Sequence, residues 1–290
     1  MDFRAIIMGI AFAVMWSSAY TSARIIVLSA PPVSALALRF LISGLLGILI
    51  ARMLGQSWRL TPPQWRATIV FGVCQNALYL GLYFVAMQTI EASLAAIIAS
   101  TMPLLVALAG WIVFRDRLPP IAVLGLLAGL VGVVIIMGNR LSDGVDLYGL
   151  TLCVVGVVAL TIATLAVRGA TSGGNFLMVV GLQMLIGSAV LSVAAVATET
   201  IEIAWSWQLV AAFAYTTIVP GLGATLVWFM LVERIGATRA ATFHFLNPFL
   251  GVAIAALILS EPLQLYDIIG VAVIMAGILA VQLSKRPGRS

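Results

Sequence analysis

Ten apolar stretches follow one another along this chain, separated only by short polar or turn-forming segments. A stretch of about 20 apolar residues is what an α-helix needs to cross roughly 30 Å of hydrocarbon. The stretches cover residues 5–26, 33–53, 67–87, 92–114, 119–139, 147–167, 175–197, 207–231, 237–259 and 264–284. No connection is long enough for a soluble domain. The sequence therefore predicts an all-α polytopic membrane protein with ten transmembrane helices.

The composition excludes other classes of protein. Hydrophobic residues make up 63% of the 290 positions and charged residues only 9%, and the mean hydropathy is +1.17. Soluble domains carry roughly 25% charged residues. Membrane β-barrels are less hydrophobic on average, because their strands alternate apolar and polar side chains. The net charge of +5 comes from dispersed arginines, which argues against a nucleic-acid-binding patch.

Basic residues predict the orientation of the chain, because they are enriched on the cytoplasmic side of a membrane. With a cytoplasmic N-terminus, twelve of the fifteen basic residues flank spans on that side. They are Arg4, Arg52, Arg59, Arg66, Arg115, Arg117, Arg168, Arg234, Arg239, Lys285, Arg286 and Arg289. Arg24 and Arg140 would lie outside, and Arg39 falls within the second span. Both termini are therefore predicted to be cytoplasmic.

The chain resembles itself at a constant offset of 145 residues. The matched pairs are Tyr83-Phe84 with Trp228-Phe229, Ile90 with Ile235, Ser93 with Thr238, Pro103 with Pro248, Asp116 with Glu261, Leu118 with Leu263, Gly125 with Gly270 and Gly132 with Gly277. This predicts two repeats of five spans, residues 1–143 and 144–290. Because five is odd, the second repeat enters the membrane inverted. Inverted repeats are typical of secondary transporters, whose substrate site lies near the midplane between the halves.

The repeated features also match a known family. The third to fifth spans hold aromatic residues, a mid-span proline, an acidic residue and then glycines, namely Tyr79, Tyr83, Phe84, Pro103, Asp116-Arg117, Gly125, Gly129 and Gly132. The eighth to tenth spans repeat this order with Trp228, Phe229, Pro248, Glu261-Pro262, Gly270 and Gly277. The first two spans add Trp16-Ser17-Ser18-Ala19-Tyr20 and Arg39-Phe40. In these features the chain resembles the EamA family of the drug/metabolite transporter superfamily, and most of all its YddG-type exporters of aromatic amino acids.

This resemblance implies a fold and an activity. It implies an exporter of the bacterial inner membrane that works by alternating access, lies in a lipid bilayer and uses no cofactor. The implied substrates are aromatic amino acids and related small amphipathic metabolites. A multidrug or other metabolite exporter of the same fold is the alternative among carriers, and a channel is the alternative outside them. We expect no enzymatic activity and a monomer.

Polar side chains within the spans are the first candidates for substrate contacts, because they are costly in lipid. In the third span Gln75, Asn76, Tyr79 and Tyr83 recur at helical spacing and are predicted to share one face. Amides beside phenol rings suit a zwitterion with an aromatic side chain. The alternative is that these groups only form hydrogen bonds between helices.

His244 is the only histidine of the chain and is predicted in the ninth span, three residues before Asn247. It is a candidate to line a substrate cavity together with Asn247, or else a structural histidine that bonds a neighbouring carbonyl. A metal site is not predicted, because there is no second imidazole. Pro103 and Pro248 interrupt equivalent helices and are candidate hinges.

Aromatic residues supply the remaining candidates. Trp16, Tyr20, Trp228 and Phe243 are predicted to form walls for a hydrophobic substrate. Arg39 is left with three alternatives, namely a snorkelling side chain, an extracellular gate and a contact to a substrate carboxylate.

Small residues and acids complete the expectations. Gly125 and Gly129 are assigned to helix packing. All ten carboxylates are predicted at or near span ends or in loops, whereas ion-coupled carriers usually hold an acid near the midplane. Tight coupling to protons is therefore not predicted, and His244 is the one residue that could overturn this.

Overall fold

The computed structural model of the chain describes residues 3–115, 118–142, 144–166, 174–235, 240 and 242–284. Within these ranges all regular structure is helical, which confirms the predicted all-α class. Several residues that the sequence singles out lie outside the description, namely Asp116, Arg117, Arg168, Thr238, Arg239, Lys285, Arg286, Arg289 and the side chain of Phe229.

In the described ranges ten helices follow one another, numbered here α1 to α10. Six are continuous: α1 Phe3–Val27, α2 Pro32–Met53, α5 Pro120–Ser142, α6 Leu147–Ala166, α7 Phe176–Thr198 and α10 Leu265–Ser284. Four consist of consecutive pieces: α3 of Pro62–Phe71, Gly72–Tyr79 and Leu80–Ala86; α4 of Ala92–Ala99 and Met102–Phe114; α8 of Trp207–Thr216, Thr217–Gly223 and Ala224–Ile235; and α9 of Thr242–Leu246 and Asn247–Leu259.

Nine of the described helices are long and apolar enough to cross a membrane, and the described apolar part of α9, Phe243–Leu259, is shorter. The predicted start of the ninth span lies outside the described residues. The other predicted ends agree with these helices to within three residues, except that α8 runs four residues past its predicted end and α3 starts early. That helix begins at Pro62, five residues before the predicted span. Pro62 and Pro63 fit the first helical turn, where no N–H is needed. The amide oxygen of Gln64 also accepts the N–H of Thr61 at 2.9 Å and caps this turn.

The helices are divided between two compact units. Unit 1 consists of residues Met1–Thr21, Ile90–Leu150 and Gly223–Ser290, and unit 2 of Ser22–Thr89 and Thr151–Leu222. Unit 1 thus contains α4, α5, α9 and α10, whereas unit 2 contains α2, α3 and α7. Because α1, α6 and α8 cross the boundaries, each contributes to both units. Each unit takes helices from both halves of the sequence.

In unit 1, α5 and α10 pack backbone against backbone through glycines. A Cβ on Gly125 would stand 2.6 Å from the carbonyl oxygen of Gly277, and a Cβ on Gly132 would stand 2.8 Å from that of Gly270. A Cβ on Gly277 would lie 2.8 Å from the nitrogen of Gly129, which confirms that this glycine face packs against a helix. Residue numbers rise along α5 as they fall along α10. These equivalent helices are therefore antiparallel, as an inverted repeat requires.

Unit 2 contains a second antiparallel pair, formed by α2 and α7. A Cβ on Gly44 would lie 3.0 Å from the carbonyl oxygen of Gly181, and a Cβ on Gly181 would lie 2.9 Å from that of Gly44. At one end of the pair, the carboxylate of Glu199 accepts the backbone N–H groups of Val33 and Ser34, both at 2.8 Å. These N–H groups belong to the first turn of α2, where no helical carbonyl is available to them.

The same type of cap recurs at other helix starts. In unit 2 the side-chain oxygen of Gln56 accepts the N–H of Met178, in the first turn of α7, at 3.0 Å. In unit 1 the carboxylate of Glu261 accepts the N–H groups of Ala92 and Ser93, which begin α4, at 2.8 and 2.9 Å. A negative charge at the N-terminus of a helix also complements the helix dipole. Residues distant in sequence thus fix where these helices begin.

Local backbone conformations also recur at the offset of 145 residues. Arg115 ends α4 with φ of 55° and Ser260 ends α9 with φ of 56°, both left-handed. The π-helical piece of α3 starts at Gly72, and that of α8 starts at Thr217. The irregular positions of the two halves therefore correspond, although the side chains at them differ.

Candidate functional site

His244 lies at the centre of an aromatic cluster in unit 1. Its ring centroid is 5.1 Å from the ring of Phe12, 5.1 Å from Trp228 and 6.1 Å from Trp16. Phe12 is also 4.8 Å from Trp228 and 5.7 Å from Trp16. We refer to Phe12, Trp16, Trp228 and His244 as the His244 cluster. It contains three of the predicted substrate contacts, Trp16, Trp228 and His244.

Local geometry explains why these rings meet. Phe12 and Trp16 are four residues apart on α1 and therefore project from the same face. His244 lies on the 3₁₀-helical piece Thr242–Leu246, which leads directly into Asn247. Side chains three residues apart eclipse one another in a 3₁₀-helix. As a result, Asn247 lies beside the imidazole ring.

A hydrogen bond with the side chain of Asn247 orients the imidazole ring of His244. Nδ2 of Asn247 lies 3.0 Å from Nδ1 of His244. With this amide nitrogen as the donor, Nδ1 is the acceptor, and a neutral imidazole then carries its proton on Nε2. The hydroxyl of Ser17 donates to the carbonyl and side-chain oxygens of Asn247 at 3.4 and 3.5 Å, which are long contacts.

The cluster is therefore a set of aromatic faces around an imidazole that the side chain of Asn247 holds in place. Phe12 is 1% exposed, whereas Trp16, Trp228 and His244 are partly exposed. Sequence reasoning missed Phe12 and Ser17. The spacing of Phe12 from Trp16 is a signal that could have identified the first of them.

Two other predicted aromatic walls in unit 1 are buried. Tyr20 is 8% exposed and Phe243 is 7% exposed. Phe243 packs with Ala5 and Leu231, and a Cβ on Gly9 would lie 2.3 Å from its ring. The structure therefore places Phe243 in the packing of α1, α8 and α9, next to the His244 cluster but not within it.

The predicted stripe of α3 lies in unit 2. Tyr79 and Tyr83 are 3% and 0% exposed, with ring centroids 4.6 Å apart. A Cβ on Gly156 of α6 would lie 2.8 Å from the ring of Tyr83. Asn76 is 4% exposed and lies instead against α7. A Cβ on Gly187 of that helix would be 2.5 Å from the Cβ of Asn76.

The single face predicted for this stripe is corrected by the structure. Gln75, Asn76 and Tyr79 belong to the π-helical piece Gly72–Tyr79, whose wider turns change the angular spacing of side chains. Asn76 consequently faces α7 while Tyr83 faces α6. Gln75 is only partly buried.

The two candidate hinges lie just after breaks in their helices. Pro103 is in the first turn of Met102–Phe114, and the break is at Ser100 and Thr101. Pro248 is in the first turn of Asn247–Leu259, after the 3₁₀-helical piece. Proline fits a first turn because its missing N–H is not needed there. The interruption is therefore one turn N-terminal to each proline.

Metal chemistry finds no support in the described ranges, where no group of three or more His, Cys, Asp or Glu side chains could hold an ion. Cys74 and Cys153 are free thiols.

Comparison with known proteins identifies the architecture. The model of the EamA-like transporter family matches residues 3–138 and again residues 147–283. The uncharacterized transporter YvbV of Bacillus subtilis is 24% identical over 274 residues, which are 94% of this chain and 90% of that protein. The uncharacterized inner membrane transporter YedA of Escherichia coli K12 is 26% identical over 282 residues, 94% of this chain and 88% of that protein. Protein PecM of Dickeya dadantii is 22% identical over 279 residues, 92% and 89% of the two chains.

A solved crystal structure of a protein with 22% sequence identity has the same fold. Its TM-score to this chain is 0.71, and the match covers 99% of this chain and 100% of that one. The two family matches together span nearly the whole sequence, and the family consists of two repeats of five helices. The protein is a multi-pass membrane transporter, and the chain belongs to the EamA-like transporter family.

Proposed function

We propose that this transporter exports aromatic amino acids and related small amphipathic metabolites by alternating access across the inner membrane of a bacterium. The observation that carries the proposal is the His244 cluster, in which aromatic rings surround an imidazole held by the side chain of Asn247. Aromatic rings bind a flat apolar side chain by offset or edge contacts. An oriented N–H donor suits the polar end of the same molecule.

The lack of a carboxylate beside the described side chains of the cluster favours this substrate class over organic cations. In the described ranges, no carboxylate contacts Phe12, Trp16, Trp228 or His244. A multidrug exporter of flat cations would gain from a buried acid beside the rings. Such an exporter remains the alternative within the same fold.

The positions of the acids support transport driven by the gradient of the substrate. In the described part of the chain, Glu91, Asp146, Glu199, Glu261 and Asp267 all lie at helix ends. All five accept N–H groups at helix starts or form ion pairs there. We therefore propose a carrier without tight proton coupling. We also propose cytoplasmic termini, repeats bounded at residues 143 and 144, and a monomer.

Uptake into proteoliposomes tests the proposal. Labelled phenylalanine and tryptophan should enter with saturation and counterflow, and an imposed pH gradient should leave the accumulated level unchanged. His244→Ala should reduce this uptake. Leu257→Ala is the matched control, because Leu257 lies on the same helix and is 84% exposed.

Other outcomes would support the alternatives. Saturable uptake of tetraphenylphosphonium without uptake of either amino acid would favour a multidrug exporter. Flux without saturation or counterflow would favour a channel. Accumulation that requires the pH gradient, and that is lost in His244→Ala, would contradict the uncoupled mechanism.

A further inference from the structure

Arg39 is a buried cation in the membrane-spanning part of unit 2. It is the eighth residue of α2, so at 1.5 Å per residue it lies about 10 Å from the start of the helix. The residue is 6% exposed, which does not agree with a side chain that snorkels to a water-exposed surface. Charged residues at such depths pair with other groups or mark a solute pathway.

One contact of Arg39 is to the backbone of α8. Its Nε donates to the carbonyl oxygen of Thr216 at 3.2 Å. Pro220, four residues further on, has no N–H to donate to that carbonyl. Nearby, the hydroxyl of Ser43 donates to the carbonyl oxygen of Thr217 at 3.3 Å. Arg39 and Ser43 thus supply donors to carbonyls at the start of the π-helical piece of α8.

This structural role uses a small part of the guanidinium group. Arginine has five N–H donors, and the bond to Thr216 takes the one on Nε. Within the described ranges, no carboxylate forms an ion pair with Arg39, and its Cζ lies 5.2 Å from the ring centroid of Phe40. A glycine lies beside the free end, because a Cβ on Gly221 would be 3.6 Å from Nη2.

We propose that the Nη groups of Arg39 form an anion-binding site that takes the carboxylate of a transported solute. A guanidinium group binds a carboxylate through two parallel hydrogen bonds, and it holds its charge at every physiological pH. The phenyl ring of Phe40 stabilises the cation on one side. This inference rests on the chain acting as a carrier, but it does not require an aromatic side chain on the solute.

If this site exists, ligands that bind there must carry a carboxylate, and binding experiments can measure this requirement. The probes are 3-phenylpropionate, which has a carboxylate and no ammonium group, phenethylamine, which has the reverse, and acetate. Titration calorimetry of the full chain in lipid nanodiscs should give carboxylate binding that weakens at least tenfold in Arg39→Gln. The glutamine keeps an N–H donor for the Thr216 carbonyl but has no charge. Binding of phenethylamine should not change between the wild type and Arg39→Gln.

Two further variants keep the test decisive. Arg39→Lys retains the charge without the two-pronged geometry, so it should bind the carboxylates with intermediate affinity. This variant tests the inference if Arg39→Gln does not fold. Arg52→Gln is the control, because Arg52 is an exposed arginine on the same helix. It should bind 3-phenylpropionate as the wild type does.

Either of two results would overturn the inference: carboxylate probes that bind Arg39→Gln as tightly as the wild type, or a wild type that binds none of them. Failure of the proposed function is a separate result. If 3-phenylpropionate or acetate binds in an Arg39-dependent way while phenylalanine is not transported, the anion site stands and the aromatic substrate is wrong. If Arg39→Gln transports phenylalanine as well as the wild type does, phenylalanine is a substrate and the anion site at Arg39 is wrong.

Discussion

Arg140 at the end of α5 and Asp267 in the first turn of α10 form a two-pronged ion pair in unit 1. Nη2 of Arg140 lies 2.7 Å from Oδ2 of Asp267, and Nε lies 3.3 Å from Oδ1. The remaining Nη1 pairs with Glu91 at 2.8 Å. The side chains of Arg140 and Asp267 are 9% and 3% exposed, whereas that of Glu91 is 31% exposed. One arginine therefore holds two carboxylates, one just before α4 and one in the first turn of α10.

This arrangement predicts a ranking of substitutions at the three positions. Arg140→Met should destabilise the protein most, by about 3–5 kcal/mol, because it leaves two carboxylates without their cation. Asp267→Asn should cost less, because Arg140 keeps Glu91. Glu91→Gln should cost least, because its side chain is partly exposed and screened. Thermal unfolding in nanodiscs measures the order, with Arg52→Met as an exposed-arginine control. An Arg140→Met midpoint equal to that control would contradict the prediction.

The glycine contact between α5 and α10 predicts a position that tolerates no side chain. In Gly277→Ala the new Cβ would lie 2.5 Å from the carbonyl oxygen of Gly125, so the two backbones would have to separate. We expect a loss of stability of about 1–3 kcal/mol, which is typical of overpacking.

Gly138→Ala is the matched control for this prediction, since nothing lies within 4 Å of a Cβ there. Because alanine favours helix over glycine by about 1 kcal/mol, this variant should be neutral or more stable. Unfolding midpoints that fall equally in both variants would show that the close approach does not limit stability.

Local patterns were sufficient to predict the helices and the repeat. Runs of apolar residues locate the spans because each helix satisfies its own backbone hydrogen bonds in lipid. The offset of 145 residues predicts which helices correspond, and it is reflected in the matching conformations of Arg115 and Ser260. Small residues such as Gly125 indicate a packing face because only they allow backbones to approach.

Contacts between distant segments could not be predicted in this way. The bond from Arg39 to Thr216 joins residues 177 apart, and that from Ser17 to Asn247 joins residues 230 apart. Both depend on how helices pack, which periodicity does not encode. The π-helical piece of α3 was missed for a different reason, because a local widening of the helix leaves no distinct residue pattern.

The hydrogen bonds of Asn247 predict different effects for substitutions of Asn247 and of its partner Ser17. Asn247→Ala removes the bond that orients His244, so the KM for phenylalanine uptake should rise roughly fivefold to thirtyfold, the equivalent of about 1–2 kcal/mol. Ser17→Ala should change it little, because the contacts of Ser17 are 3.4 and 3.5 Å long. Uptake measured over a range of substrate concentrations separates KM from Vmax. Equal effects of the two variants would show that the His244 donor is not oriented by Asn247.

The breaks before Pro103 and Pro248 predict a loss of transport rate without a loss of stability. An alanine at position 103 has an N–H that can donate to the carbonyl of Ala99, so the helix can continue through Ser100 and Thr101. A straight helix removes the flexible point, and Vmax should fall on the order of tenfold, the effect of about 1.4 kcal/mol on a barrier. Pro248→Ala should act in the same direction.

Pro120→Ala provides the comparison for these two variants. Pro120 is the first residue of α5 and is exposed. No helix break precedes it that an alanine could close. It should leave both Vmax and the unfolding midpoint unchanged. The hinge interpretation requires that Pro103→Ala and Pro248→Ala lower Vmax while their unfolding midpoints stay at or above that of the wild type. If the midpoints fall together with the rate, the prolines serve the packing of α4 and α9 and do not act as hinges.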